Sequence, residues 1–85
     1  MDTEDTIILR AALGILQKLG SEGTTKKILI QQTESETGVL LTTERAEALA
    51  LLLRDRRYAA SHLAPITHVE RWRITERGAE ALAAL

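Results

Sequence analysis

The sequence predicts a single, mostly helical α+β domain spanning residues 1–85. Apolar residues recur at helical spacing in four segments, whereas the stretch 57–74 alternates as a pair of strands does. No repeat, low-complexity tract or linker divides the chain. Hydrophobic residues make up 45% of it and aromatic residues only 2%, so the core must be aliphatic, with Tyr58 and Trp72 as its large rings.

The first helix is predicted over Thr3–Leu19, and Gly20 is a natural C-terminal stop. One apolar stripe consists of Ile8, Ala12, Ile15 and Leu19, and a second consists of Leu9, Leu13 and Leu16. A helix that is apolar on two faces either lies at the centre of a fold or shares one face with a partner chain. The second stripe is therefore a candidate dimer interface, with a shared core as the alternative.

A second helix is predicted from the pair Thr24-Thr25, which can cap it, to about Thr37, with Gly38 as its end. The run Ile-Leu-Ile within this segment would also suit a short strand. A third helix is predicted from a cap at Thr42 or Thr43 to about Arg56. Its core face consists of Ala46, Leu49, Ala50 and Leu53, and outside that face lie Ala48 and Leu51, which are candidates for a protein interface.

A β-hairpin is predicted over 57–74, with a five-residue tip around Pro65. Alternation suggests three cross-strand pairs: Tyr58 with Trp72, Ala60 with Glu70, and His62 with His68. In this register both aromatic rings face inward. Arg57, Arg71 and Arg73 face outward together, with Arg57 opposite Arg73.

Thr75 is predicted to cap a last helix over about Glu76–Leu85. Gly78 lies in its first turn, where the absence of a side chain permits the close approach of a backbone, another helix or a phosphate. Packing against another helix is the preferred interpretation. Two apolar segments, this helix and the Leu9 stripe, are the expected surfaces of a homodimer.

Several classes of function have little support. The chain has no cysteine, hence no thiolate site or nucleophile, and no glycine-rich phosphate loop or cofactor motif is present. His62 and His68 lack the further ligands that zinc requires. No segment is long enough to span a membrane, and no signal sequence opens the chain. We therefore expect a cytoplasmic protein that is not an enzyme and carries no metal or cofactor.

Charge is unevenly distributed along the chain, although the net charge is only −1. Residues 1–42 contain four basic and six acidic side chains, whereas residues 54–77 contain six arginines and three acids. Arginine presents a planar fork that suits phosphate or carboxylate. The second region is therefore the candidate anion-binding surface, unless its arginines merely pair with neighbouring acids.

Three quoted segments carry a resemblance to a known family. "LTTERAEALALLLRDRRY" resembles a recognition helix that runs into a wing strand, and "RWRITERGAEAL" resembles the second wing strand with the entry to a last helix. Together with the order of elements, they make the chain similar to winged helix-turn-helix domains of bacterial or phage regulators. The resemblance implies a small, dimeric transcriptional regulator whose helix 43–56 enters the major groove of DNA and whose wing, 57–74, contacts the backbone or minor groove.

The residues expected to contact DNA come from the third helix, the wing and the start of the second helix, where a helix N-terminus favours phosphate. They are Thr43, Arg45, Arg57, Arg71, Arg73, Lys26 and Lys27. The third helix departs from the family pattern, because Glu44 and Glu47 would repel phosphate. The alternative is a winged-helix module, an assembly subunit or a phage-type inhibitor, that docks a protein and does not bind DNA. That alternative requires Ala48 and Leu51 to be exposed.

Overall fold

A computed structural model describes residues 3–85 of the chain. Within this range the fold is a small α+β arrangement of four α-helices and a two-stranded antiparallel hairpin. The helices are α1 (Thr3–Leu19), α2 (Lys26–Thr37), α3 (Thr43–Asp55) and α4 (Glu76–Ala84), the strands are β1 (Ala59–Leu63) and β2 (Glu70–Ile74), and a 3-10 turn occupies Gly20–Glu22. The order of elements and the helix bounds match the sequence prediction to within a residue or so, and the second segment is a helix.

The core lies between α1 and the other elements, and α1 is its central member. Leu9 is 3% exposed, and Leu13 and Leu16 are fully buried. These three leucines therefore face the chain's own core, and the prediction that they form an exposed dimer interface is wrong. The physical reason is that α1 is covered on two sides, by α2 and by β2 with α4, so that both of its apolar stripes have partners within the chain.

The helix ends follow the capping chemistry of the sequence. The hydroxyls of Thr25, Thr42 and Thr75 accept hydrogen bonds from main-chain N–H groups in the first turns of α2, α3 and α4. Gly38 ends α2 in a left-handed conformation with φ 71°. The Glu34 carboxylate accepts a hydrogen bond of 2.7 Å from the Leu41 N–H and so fixes the connector to α3.

The hairpin is present, but its register differs from the prediction by three residues. The observed partners are Ala59 with Ile74, Ala60 with Arg73, Ser61 with Trp72, His62 with Arg71, and Leu63 with Glu70. Pro65 begins the tip instead of lying at its centre, because its fixed φ suits the first position of a turn. His68, with φ 57°, closes the tip, where the Ala64 N–H donates to the Val69 carbonyl at 3.0 Å.

The shifted register changes the neighbours of the aromatic rings. Trp72 is 2% exposed and faces the core, as predicted, but its cross-strand partner is Ser61, not Tyr58. Tyr58 precedes β1 and is half-buried against the core. Arg57 also lies outside the strand, so the expected pairing of Arg57 with Arg73 is wrong, and Arg73 lies opposite Ala60.

A third segment of chain joins the hairpin at β2. Thr24 donates its N–H to the Trp72 carbonyl at 2.8 Å and accepts from the Trp72 N–H at 2.6 Å. Gly23 makes this approach possible, because a Cβ at this position would lie 2.1 Å from the Trp72 carbonyl oxygen. Its φ of 66° and ψ of −161° also belong to a region that is essentially reserved for glycine.

The start of the last helix contacts the main chain just before β1. A Cβ on Gly78 would lie 2.1 Å from the Tyr58 carbonyl oxygen and 2.9 Å from the Ile74 side chain. The close partner of Gly78 is therefore a main chain and not another helix, which corrects the preferred interpretation. The Thr75 N–H donates to the same Tyr58 carbonyl at 3.0 Å, and the Thr75 hydroxyl donates to the Arg57 carbonyl.

Candidate nucleic-acid interface

The candidate site is built where α3 ends, the hairpin begins and α4 starts. The end of α3 is a Schellman arrangement: the Tyr58 N–H donates to the Leu53 carbonyl at 2.9 Å, and the Arg57 N–H donates to the Arg54 carbonyl at 3.0 Å. Arg57 has the left-handed φ of 59° that this arrangement needs. Main-chain hydrogen bonds therefore fix the backbone that carries Arg56 and Arg57.

Four arginines at this junction are exposed and, within residues 3–85, have no carboxylate within 4 Å. They are Arg56, Arg57, Arg73 and Arg77, and we call them the basic face. The hydrogen bonds from Thr75 to the main chain at Arg57 and Tyr58 bring the end of α3, the end of β2 and the start of α4 together. Asp55, Glu70 and Glu76 are the acidic residues interspersed in sequence, and Glu70 lies beside Arg54, so the four cations of the basic face outnumber the two remaining acids.

A fifth arginine at this junction, Arg54, packs over the ring of the buried Trp72. The Arg54 guanidinium carbon lies 5.1 Å from the centroid of the Trp72 ring, a cation–π distance. Glu70 completes the cluster by accepting a 3.1 Å hydrogen bond from Trp72 Nε1, and its other oxygen lies 4.0 Å from Arg54. This cluster was not predicted, because no local sequence pattern relates Arg54 to a ring 18 residues further along the chain.

Arg71 faces away from Trp72, as predicted, but it is not a free cation on the surface. Its Nε donates to the Glu22 carbonyl at 3.0 Å and its NH2 donates to the Gly23 carbonyl at 2.9 Å. The side chain is half-buried and closes the turn between α1 and α2. Its role is to hold that turn against β2, which corrects its expected role as a phosphate ligand.

Arg45, the expected ligand on the first half of α3, is also engaged within the chain. It donates hydrogen bonds to Glu4 and, at 3.0 Å, to Asp5 in the first turn of α1. These bonds, first that to Glu4 and then that to Asp5, raise the pKa of the Arg45 guanidinium. The guanidinium is thus charged at any physiological pH but is directed at two carboxylates. Binding of Arg45 to DNA, as expected from the sequence, would have to compete with these intramolecular hydrogen bonds.

Of the remaining expected DNA ligands, one is engaged within the chain and two are exposed. Lys26 pairs with Glu47 across α2 and α3. Lys27 and Thr43 are exposed, and Lys27 has no ion pair among the described residues. Of the seven residues expected from the sequence, Thr43, Lys27, Arg57 and Arg73 are therefore available to an external ligand.

Ala48 and Leu51 lie on the exposed face of α3, and Leu51 is 55% exposed. Their exposure is the condition that the protein-docking alternative required. Beside them, α3 and the start of α1 enclose an open groove of about 500 Å³. It is lined by Asp5, Ile8, Leu41, Glu44, Arg45, Ala48, Leu49 and Leu52, and we call it the α1–α3 groove.

Other expected features are placed as follows. His62 lies opposite Arg71 and His68 lies in the hairpin tip, so the predicted pairing of the two histidines is wrong. No group of three or more His, Cys, Asp or Glu side chains within residues 3–85 could hold a metal ion. None of the helices in that range is long and apolar enough to cross a membrane.

No protein-family model matches the chain, and neither a curated protein nor a solved structure matches it significantly.

Proposed function

We propose that this protein is a small DNA-binding regulator with a winged helix-turn-helix fold, which contacts duplex DNA through the basic face. The observation that carries the proposal is that Arg56, Arg57, Arg73 and Arg77 are all exposed, on segments that the hydrogen bonds of Thr75 hold together. The fold assignment is supported by the order of elements and by the pairing of Thr24 with β2.

The arginines of the basic face would act on the phosphate backbone. Each guanidinium that neutralises a phosphate releases condensed counterions, so binding weakens as salt rises, with a logarithmic slope of roughly 0.9 per phosphate contact. Arg57 and Arg73 project from backbone that is fixed by main-chain hydrogen bonds, which limits the ordering cost of binding.

Base reading through α3 contributes little to this proposal. The exposed side chains near its start include Glu44 and Glu47, which repel phosphate, and Ala48, which cannot form a bidentate contact with a base. We therefore expect affinities that differ little between DNA sequences and a strong dependence on salt.

The test is a fluorescence anisotropy titration of a labelled duplex with the wild-type chain at two low salt concentrations. We expect Arg73→Ser and Arg56→Ser each to weaken binding several-fold and to lower the salt slope by about one. Arg10→Ser is the matched control, because it removes one exposed arginine from α1, outside the basic face, and should change affinity less.

Two results would refute the proposal. The first is the absence of binding by the wild-type chain at micromolar concentration in low salt. The second is equal weakening by Arg73→Ser and Arg10→Ser, which would show that the effect depends on net charge and not on the basic face.

A further inference from the structure

We propose that the α1–α3 groove docks a basic, amphipathic helical segment of a partner protein. This surface is separate from the basic face, and the proposal does not rest on DNA binding. Three observations support this occupant: the apolar floor of the groove, its acidic rim, and the poor fit of the hairpin tip, which carries the most exposed apolar side chain among residues 3–85.

The floor of the groove is apolar and accessible. Ile8 from α1, Leu41 from the connector, and Ala48, Leu49 and Leu52 from α3 line it. Ala48 is exposed and Leu52 is half-buried, so the floor reaches the surface along one side of α3. A volume of about 500 Å³ lies within the range of sites that accept apolar anchors. A helix that presents leucine-like residues at i, i+3, i+4 and i+7 is the usual occupant of such a groove.

The rim of the groove carries an excess of negative charge. Asp5 and Glu44 line it, and Glu4 joins them through its bond to Arg45. Among the lining residues two are carboxylates and one is a guanidinium, so the lining carries one negative charge in excess. Glu44 has no ion pair within residues 3–85. Lysine or arginine beside the apolar anchors of the partner would complement this rim, whereas phosphate would be repelled.

The hairpin tip of a second copy fits the groove less well. It carries the most exposed large apolar side chain among residues 3–85, Ile66 at 91%, and Leu63 at the end of β1 is 62% exposed. Residues 58–69 contain no lysine or arginine, so the tip of a second copy could fill the floor but could not neutralise the rim. A segment of another protein that combines leucines with lysines or arginines would fill the apolar floor and also neutralise the acidic rim.

The experiment uses two labelled synthetic peptides of equal length with leucines at i, i+3, i+4 and i+7. One carries lysine at the remaining positions and the other carries glutamate. We expect the wild-type chain to bind the lysine peptide, and Ala48→Arg and Glu44→Lys each to weaken that binding about tenfold or more through blockage or charge reversal. Ala83→Arg and Glu80→Lys, which make the same changes on exposed positions of α4, should leave the affinity within about twofold.

Each of four results would overturn the proposal. The first is no binding of the lysine peptide at about 100 µM, a concentration that would detect even weak docking. The second is equal binding of the two peptides, and the third is that the Ala48→Arg variant binds the lysine peptide as tightly as the wild-type chain does. The fourth is concentration-dependent self-association of the wild-type chain that Ala48→Arg abolishes. The last would assign the groove to a second copy. DNA titration of the same variants keeps the two proposals separate, because Ala48→Arg should not weaken binding to a duplex at the basic face.

Discussion

The two ends of α3 hold their charged residues in opposite ways. At the start of the helix, side chains pair with side chains: Arg45 bonds to Glu4 and Asp5, and Glu47 pairs with Lys26. At the end of the helix, the main chain does the positioning, through the left-handed Arg57 and the hydrogen bonds that join residues 57 and 58 to Thr75. The first arrangement neutralises its charges, whereas the second leaves them exposed.

This difference shows that the number of cations in a segment does not measure how many of them are available to bind an external ligand. Exposed ion pairs contribute little to stability, but they do occupy the groups that form them. A charge held by rigid backbone stays free for a ligand. We expect changes to the main-chain scaffold at the end of α3 to have large effects and changes to the ion pairs at its start to have small ones.

The largest effect is expected at the main-chain contact between α4 and the hairpin. Gly78→Ala places a methyl group against the Tyr58 carbonyl, which cannot move without breaking its hydrogen bond from Thr75. We expect a loss of about 3 kcal/mol in the free energy of unfolding, measured by urea denaturation.

Gly14→Ala is the control for that substitution. Gly14 lies inside α1, and a methyl group there would meet nothing within 4 Å. Since alanine loses less backbone entropy in a helix, we expect a gain of roughly 0.5–1 kcal/mol. Similar effects of the two substitutions would show that the scaffold at Tyr58 tolerates displacement.

An intermediate effect is expected at the left-handed residue itself. Arg57→Gly relieves a backbone conformation, φ 59°, that costs a residue with a side chain about 1 kcal/mol or more, and so should raise the free energy of unfolding by about 1 kcal/mol. The same substitution should weaken DNA binding, because it removes a cation from the basic face. Stability and binding would thus move in opposite directions.

Substitution of the neighbouring arginine, Arg56, distinguishes the effect of backbone strain from the effect of losing a charge. Arg56 has a right-handed backbone, φ −82°, so Arg56→Gly removes the same charge but should lower stability by roughly 0.5–1 kcal/mol. Thermal denaturation of the Arg56→Gly and Arg57→Gly variants compares their stabilities. If Arg56→Gly also stabilises the protein, the stabilisation by Arg57→Gly cannot be attributed to backbone strain at Arg57.

The smallest effect is expected at the start of α3. Arg45→Ala removes the bonds to Glu4 and Asp5, but both acids are about half-exposed and solvent screens the pairs. We expect the free energy of unfolding to fall by only about 0.5 kcal/mol, which lowers the melting temperature by about 2–4 °C. Arg10→Ala, at an exposed position of α1, is the comparison, and a much larger loss for Arg45→Ala would mean that ion pairs hold this end of α3 in place.

Much of the fold follows from short-range chemistry in the sequence. Helical periodicity and threonine caps located the helices, and the period of two in a strand placed Trp72 inside and Arg73 outside. The candidate site was predictable only in part. Arg57 and Arg73 are exposed as expected, whereas Arg45, Lys26 and Arg71 bind groups within the chain, and their partners lie 21 to 49 residues away.

The hairpin register illustrates the same limit. Alternation determines which face a side chain of one strand occupies, but the pairing of two strands depends on which residues form the turn. Placing Pro65 at the centre of the tip instead of at its start displaced every cross-strand pair.

The sequence by itself determined where the helices begin and end and which segment forms the hairpin, because caps, glycines and apolar periodicity act between residues a few positions apart. Only the tertiary structure decided that the second leucine stripe of α1 is buried and that the main chain packs closely against Gly23 and Gly78. It also decided that three of the six expected cations, Lys26, Arg45 and Arg71, bind groups within the chain. These outcomes depend on which distant segments meet, and no local pattern of residues specifies such a meeting.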